Sequence, residues 1–361
     1  MITIFEPVYI YNLYHSLTVV FLYYGIIYLL YLFAVPLGGK ASARYGFEHC
    51  IFYSIPFAIL YFLTLSQLPG NVWLLPIAII LVIIYKSLFW PAYHADFAHY
   101  SKLGYKGREL SAMSLVSTVA TILGPIVGGI VIMKFGFEVL FVIVSIISLI
   151  SALPLFSTKE VFDPHNFSYK NAFRRIIKPY GKYERTDSVA FFGYGEELIV
   201  AVGWPIFIYM IIEKFYLMGI LTSVMTLAIA FISLYVGRLS DILSPGDQKK
   251  LLSTSTLIYS ISWLLSPFVG NWLGVLLIDI ISKGSKAGIR YPLFTFVYTG
   301  GNDHKGYLKY SIFYEMSLAA GKTLFAFIAV ILSLVVTGFA FWFIIFGLAA
   351  LWSFSYIFSK V

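Results

Sequence analysis

From Leu17 onward the chain is a succession of apolar runs, each near twenty residues long and closed by a charge, a glycine or a proline. A helix needs about 20 apolar residues to cross the ~30 Å hydrocarbon core of a bilayer. Runs of that length predict spans at 17–37, 49–67, 72–96, 110–133, 138–156, 189–212, 216–235, 251–268, 272–298, 310–334 and 338–358. Residues 1–12 are also apolar but reach only about 18 Å as a helix. They are expected to be the outer end of a first helix that lacks its other half; a true eleven-span chain with a re-entrant start is the alternative.

Composition narrows the picture. Of 361 residues, 60% are hydrophobic and 12% charged, with a mean hydropathy of +0.87; a soluble domain carries about 25% charged residues. The net charge of +8 is not a nucleic-acid signal, because the bases fall between apolar runs rather than on one face of a domain. Loops 38–48, 97–109, 157–188, 236–250 and 299–309 hold seventeen of the 25 bases, against Lys134 and Lys214 on the opposite side. The bias places the basic loops in the cytoplasm and the protein in the cell (plasma or inner) membrane. One cysteine, Cys50, and six scattered histidines offer no disulfide framework and no metal-ligand spacing, so neither a metal nor a cofactor is expected.

The one long polar segment, 157–188, divides the chain into 1–156 and 189–361. Within it Tyr169, Phe173, Ile176 and Ile177 alternate with Lys170, Arg174, Arg175 and Lys178 before Pro179. That pattern suits either a short helix in the headgroup region or a solvated basic linker. The two parts repeat one another. Gly39-Lys40-Ala41-Ser42-Ala43-Arg44 is echoed by Gly237-Arg238-Leu239-Ser240-Asp241, Trp90-Pro91 by Tyr291-Pro292, and Ala112-Met113-Ser114-Leu115 by Glu315-Met316-Ser317-Leu318, all in one order at offsets of 198 to 203. Duplication of this kind is common in secondary transporters, whose sites lie between the repeats.

Two motifs make the chain resemble the major facilitator superfamily over all but its first helix. Gly39-x3-Ala43-Arg44-x-Gly46 is similar to the family's Gly-x3-Asp-Arg-x-Gly loop between helices two and three, with Ala43 in place of Asp and Phe47-Glu48 in place of bases. Its second copy keeps Gly237 and Asp241 but has Ile242 where Arg is expected. In the family this loop braces the two halves in the outward-facing state; the loss of Asp in the first copy removes the ionic form of that brace. Gly124-Pro125-x2-Gly128-Gly129 is similar to the fifth-helix glycine motif. Ala120, Gly124 and Gly128 at i, i+4 and i+8 form a small-residue ridge for close helix approach, and Pro125 loosens the backbone beside it. The resemblance implies an all-α fold of two pseudo-symmetric six-helix bundles (helix 1 incomplete), with helices one, four, seven and ten around a central cavity.

Ionisable residues inside spans are costly and therefore candidates for a site. Asp279, Lys283, Lys286 and Arg290 in the tenth helix share one face, each within about 40° of Asp279, and Asp279 stands four residues before Lys283, a favourable order for an ion pair. The excess of positive charge suits an anionic or carboxylate-bearing substrate; snorkelling of Lys286 and Arg290 to the surface is the structural alternative. Lys86 is the fourth-helix counterpart, with the same alternative. Glu196 and Glu197 in the seventh helix point about 100° apart; a buried carboxylate there is either a proton carrier or half of a salt bridge to Lys283 or Lys322. Glu315 and Lys322, seven apart on the eleventh helix, are placed to bridge toward the tenth. Glu6 is read as solvent-exposed at the outer mouth. His94 and Asp96 are read as a gating pair or a solvated helix end, and their spacing does not fit an HxxxxD acyltransferase.

No Walker loop occurs in the sequence. The expectation is a monomeric secondary active transporter, not an enzyme, that moves a small solute by alternating access with a proton or ion as coupling species and the lipid bilayer as its surroundings. An uncoupled facilitator and a non-transporting sensor or scaffold are the rivals.

Overall fold

The computed structural model describes residues 2–100, 106–153, 155, 160–162, 168–179, 181–303 and 306–358, with the side chains at 100, 106–117, 181–183, 240, 241, 245, 291–303 and 358 outside the description. Every regular element among them is helical: α1 (Phe5–Tyr14), α2 (Leu17–Tyr45), α3 (Phe47–Ser66), α4 (Leu75–Tyr100), α5 (Lys106–Ile150), α6 (Tyr169–Ile177), α7 (Gly181–Gly193), α8 (Trp204–Ile212), α9 (Phe215–Ile242), α10 (Pro245–Leu265), α11 (Trp272–Asp303), α12 (Tyr307–Val335) and α13 (Gly338–Ser353), with short 3-10 turns between some of them.

Turn chemistry explains the breaks. His15 in the left-handed region (φ 49°) ends α1, and Ser16 caps α2 by accepting the Val19 amide at 3.3 Å. Gly46 (φ 92°) separates α2 from α3, and Gly136 (φ 83°) bends α5 between the spans expected at 110–133 and 138–156. Ser244 caps α10, with Pro245 at its first turn. Nine helical stretches among the described residues are long and apolar enough to span a membrane; α11 is as long but carries Asp279, Lys283, Lys286 and Arg290. Large apolar side chains such as Leu30, Leu60, Ile80, Leu123, Phe231 and Leu334 stand exposed along these helices, as a lipid-facing surface requires.

Two boundaries differ from the sequence expectation. The segment expected as loop 38–48 is helical to Tyr45, because Gly38 lets α2 lie against the Ser87 carbonyl of α4. The seventh span begins at Gly181, inside the segment expected as linker. The amphipathic stretch forms α6, but it is neither free nor merely laid on a surface. Its Phe173 stacks on Phe33 of α2 at 5.7 Å, the Tyr169 hydroxyl donates to the Phe33 carbonyl at 3.2 Å, and Arg175 reaches Glu184 and the Lys309 carbonyl of α12.

Helices before α6 meet helices after it along two seams. α2 runs against α12, where Gly25 admits Ala326. α5 runs against α9, where Gly129 admits the Phe215 carbonyl and Gly219 admits the Pro125 carbonyl. Pro125 and Gly129 line this seam; of the expected ridge, Gly124 and Gly128 are buried and Ala120 is exposed.

Candidate functional site

Three tyrosines on α2, at i, i+4 and i+7, organise the interior. Each hydroxyl meets an ionisable group from another element. Tyr24 donates to Glu6 Oε1 of α1 at 3.0 Å, and Tyr61 of α3 donates to the same oxygen at 2.8 Å. Tyr28 accepts from Lys86 Nζ of α4 at 3.1 Å, while Lys86 and Lys322 lie 4.6 and 5.0 Å from its ring centroid. Tyr31 donates to Glu315 Oε2 of α12 at 2.9 Å, and His94 Nε2 of α4 lies 3.1 Å from Oε1. Since α2 spans the bundle, this ladder reads acid, base, acid from one end toward the basic loops.

The central rung joins chain segments on either side of α6. Lys322 of α12 pairs with Glu197 at 3.3 Å; their side chains are 12% and 36% exposed. The 3-10 turn after α7 crosses α12 beside this pair at Gly195 and Gly321, which leave no room for a methyl. Among the described residues Glu315 thus meets α2 and α4, and Lys322 meets α2 and Glu197 of the seventh span. Among the described residues no carboxylate lies within ion-pair distance of Lys86.

α11 divides its charges between two neighbours. Lys283 Nζ lies 2.8 Å from Asp279, whose Oδ1 also accepts the Trp204 indole N–H at 2.7 Å. Lys286, expected to snorkel or line the cavity, is instead buried. Its Nζ lies 2.9 Å from Glu196 Oε1 and 4.4 Å from the Tyr194 ring centroid. Glu196 is fully buried and also accepts the Tyr259 and Tyr356 hydroxyls. Three donors, Lys286, Tyr259 and Tyr356, hold this carboxylate, and through them the segment that follows α7 is pinned to α10, α11 and the C-terminal turn. Arg290 is exposed. Gly288 and Gly284 set α11 close to Ser255 of α10 and Ile232 of α9.

Two residues read as solvated are not. Glu6 is half-buried within Tyr24 and Tyr61, and Tyr61 is further bonded to Tyr23 at 2.9 Å. His94 is buried, stacked on Trp90 at 5.6 Å and edge-on to Tyr314; Asp96, half-buried, is not its partner. The spacing of Tyr24, Tyr28 and Tyr31 was the available sequence signal for the ladder; Tyr61, Tyr259, Tyr356 and Trp204 left none, because each arrives from another helix.

The glycine-rich loop motif has a different brace from the ionic one. Arg44 is exposed over the Tyr45 ring, 5.3 Å away. Gly39 and Gly46 are buried, and the Glu160 carboxylate occupies the space a Gly46 side chain would need. Glu160 also accepts the His49 amide at 3.2 Å and contacts the His49 ring. The Phe47 amide donates to the Val161 carbonyl at 3.1 Å, and the Val161 amide to Glu48 at 2.9 Å. Burial, then the Glu48 carboxylate, pushes the Glu160 carboxyl above its ordinary range. In the second copy Gly237 lies near the end of α9, and Asp241 falls outside the described side chains.

A family model, Major Facilitator Superfamily, matches residues 1–281. No curated protein matches the sequence. Among solved structures, the Escherichia coli fucose:proton symporter FucP is similar at 14% identity and a TM-score of 0.67, covering 99% of this chain and 97% of its own. FucP in the outward conformation gives 15%, 0.63, 93% and 89%. The human organic anion transporter MFSD10 (TETRAN) gives 14%, 0.64, 95% and 84%. The chain belongs to the Major Facilitator Superfamily, whose members are transporters and not enzymes.

Proposed function

We propose that this member of the superfamily is a secondary active transporter that moves a small anion by alternating access, coupled to a proton gradient. The observation that carries the reading is the convergence of Lys86 and Lys322 on one ring, Tyr28, with Glu197 the carboxylate that pairs with Lys322. Two ammonium groups against one carboxylate leave an excess positive charge among apolar helices, where an unmatched charge is expensive. A substrate carboxylate placed between the two lysines supplies the missing charge.

Coupling follows from the same pair. Protonation of Glu197 releases Lys322 to the incoming anion, so proton and anion load together and loading leaves the net charge of the site unchanged. Helices before and after α6 touch at both ends. Thr18 bonds to Ser333 at 2.8 Å and Asn12 to Tyr209 at 3.2 Å at one end, and Tyr31 and His94 meet Glu315 nearer the other. Alternating access breaks one set while keeping the other. One chain supplies the whole arrangement, so the carrier works as a monomer, cut at the linker into residues 1–156 and 189–361. The basic loops face the cytoplasm of the cell membrane.

Uptake of a panel of small organic anions into proteoliposomes, with and without an imposed pH gradient, tests the reading. Gradient-driven accumulation of at least one anion is expected, lost in Lys86→Met and Lys322→Met. Glu197→Gln is expected to retain exchange and lose accumulation. Flux indifferent to the gradient would make the protein a facilitator, and no anion flux at all would overturn the transport reading.

A further inference from the structure

Glu6 and Lys86 are an acid and a base within the same interior that do not neutralise one another. Among the described residues neither has an oppositely charged side chain within ion-pair distance. Where this protein neutralises interior charges it does so by contact, as at Asp279–Lys283 and Glu196–Lys286. Here tyrosine hydroxyls hold the two apart: Tyr24 on Glu6 and Tyr28 on Lys86. Those tyrosines stand four residues apart on α2, a rise of about 6 Å.

The details on each side favour a ligand. Both phenols at Glu6 donate to Oε1, and Oε2 has no partner among the described residues. The half-buried carboxylate sits among the Tyr23, Tyr24 and Tyr61 rings, the first two 5.1 Å apart. Aromatic faces and a free carboxylate oxygen are the partners an ammonium takes. On the other side Lys86 spends one N–H on a neutral hydroxyl and keeps two.

Building on the anion reading above, we infer that the substrate is a small zwitterion with an ammonium and a carboxylate a few bonds apart. Its ammonium lies on Glu6 Oε2 and its carboxylate on Lys86 and Lys322. Glu6 is then a specificity-determining residue that selects amine-bearing acids over plain carboxylates.

The test is ligand-induced thermal stabilisation and proteoliposome uptake with the twenty common amino acids, each beside the carboxylate of the same skeleton lacking the amine. At least one amino acid is expected to bind about tenfold or more tighter than its des-amino partner, the difference one charge-assisted contact makes. Glu6→Gln should bring that ratio to about one; Glu6→Asp, which keeps the charge, should retain part of the preference; Lys86→Met should weaken both compounds. Equal binding of amino and des-amino acids, or binding of des-amino acids alone, overturns the zwitterion and leaves the anion reading standing. If Glu6→Gln keeps the preference but abolishes the pH dependence of uptake, Glu6 is a proton carrier and the inference is wrong. If no carboxylate of either kind binds, the zwitterion fails together with the anion reading.

Discussion

Lys86 and Lys322 come from helices on either side of the linker helix and lie against the same ring, that of Tyr28, at 4.6 and 5.0 Å from its centroid. Two ammonium groups sharing one aromatic neighbour repel in a low-dielectric interior. Such an arrangement persists where it serves binding rather than stability.

Replacing Lys86 by Met should therefore raise the melting temperature of the ligand-free protein by about 2–4 °C, the size of a ~1 kcal/mol gain, while abolishing anion uptake. Thermal unfolding in detergent reads the first and proteoliposome flux the second. A fall in melting temperature would make Lys86 a structural residue.

Glu196 and Lys286 should behave in the opposite way. Lys286→Met alone leaves a carboxylate buried among tyrosines and should cost about 3–5 kcal/mol, whereas Glu196→Gln with Lys286→Met should recover most of the loss. Glu197→Gln, which leaves the mostly buried Lys322 without its carboxylate, should also lower the melting temperature. Equal melting of the single and double Lys286 variants would show that the pair is not coupled.

Cys50 is a native reporter of the basic end. It is buried in a cluster with Tyr31, Ala92, Leu308, Ile312 and Met316, drawn from helices on both sides of α6. Glu315→Gln weakens the contacts to Tyr31 and His94 beside it, so maleimide should label Cys50 several-fold faster in that variant. An unchanged labelling rate would mean that Glu315 does not hold this end shut.

The attachment of residues 160–162 to the start of α3 should depend on pH through Glu160. Its folded-state carboxyl titrates above the unfolded value of 4.5, so the folded form holds its proton longer. The attachment is strongest below the ordinary carboxylate range and weakens as pH rises through the folded value. Melting temperature should fall over that interval in the wild type, and Glu160→Gln should flatten the slope. An identical slope in Glu160→Gln would assign it to other groups.

Gly219 faces the Pro125 carbonyl with no room for a methyl. Gly219→Ala must push α9 from α5 and should cost about 1–3 kcal/mol, whereas Gly246→Ala, in open space, should be close to neutral. Comparable folded yields for the two would show that the seam tolerates separation.

Residues whose partners lie on their own helix were legible from the sequence alone. Span positions follow from apolar length, and the Asp279–Lys283 pair follows from the helical period, because both are local consequences of one element's geometry. The same period put Lys286 and Arg290 on the Asp279 face, but it cannot say what stands opposite. Trp204 of α8 takes the Asp279 part of that face, and Glu196 beyond α7 takes Lys286. Glu6 and His94 looked solvated because each lies near the end of an apolar run; burial came from α2, α3 and α12 folding over them. The first glycine motif announced a brace, yet its anchor, Glu160, lies more than a hundred residues further along the chain. Pairing between helices depends on how side-chain ridges and tight glycine crossings set them side by side, and that choice belongs to the tertiary structure.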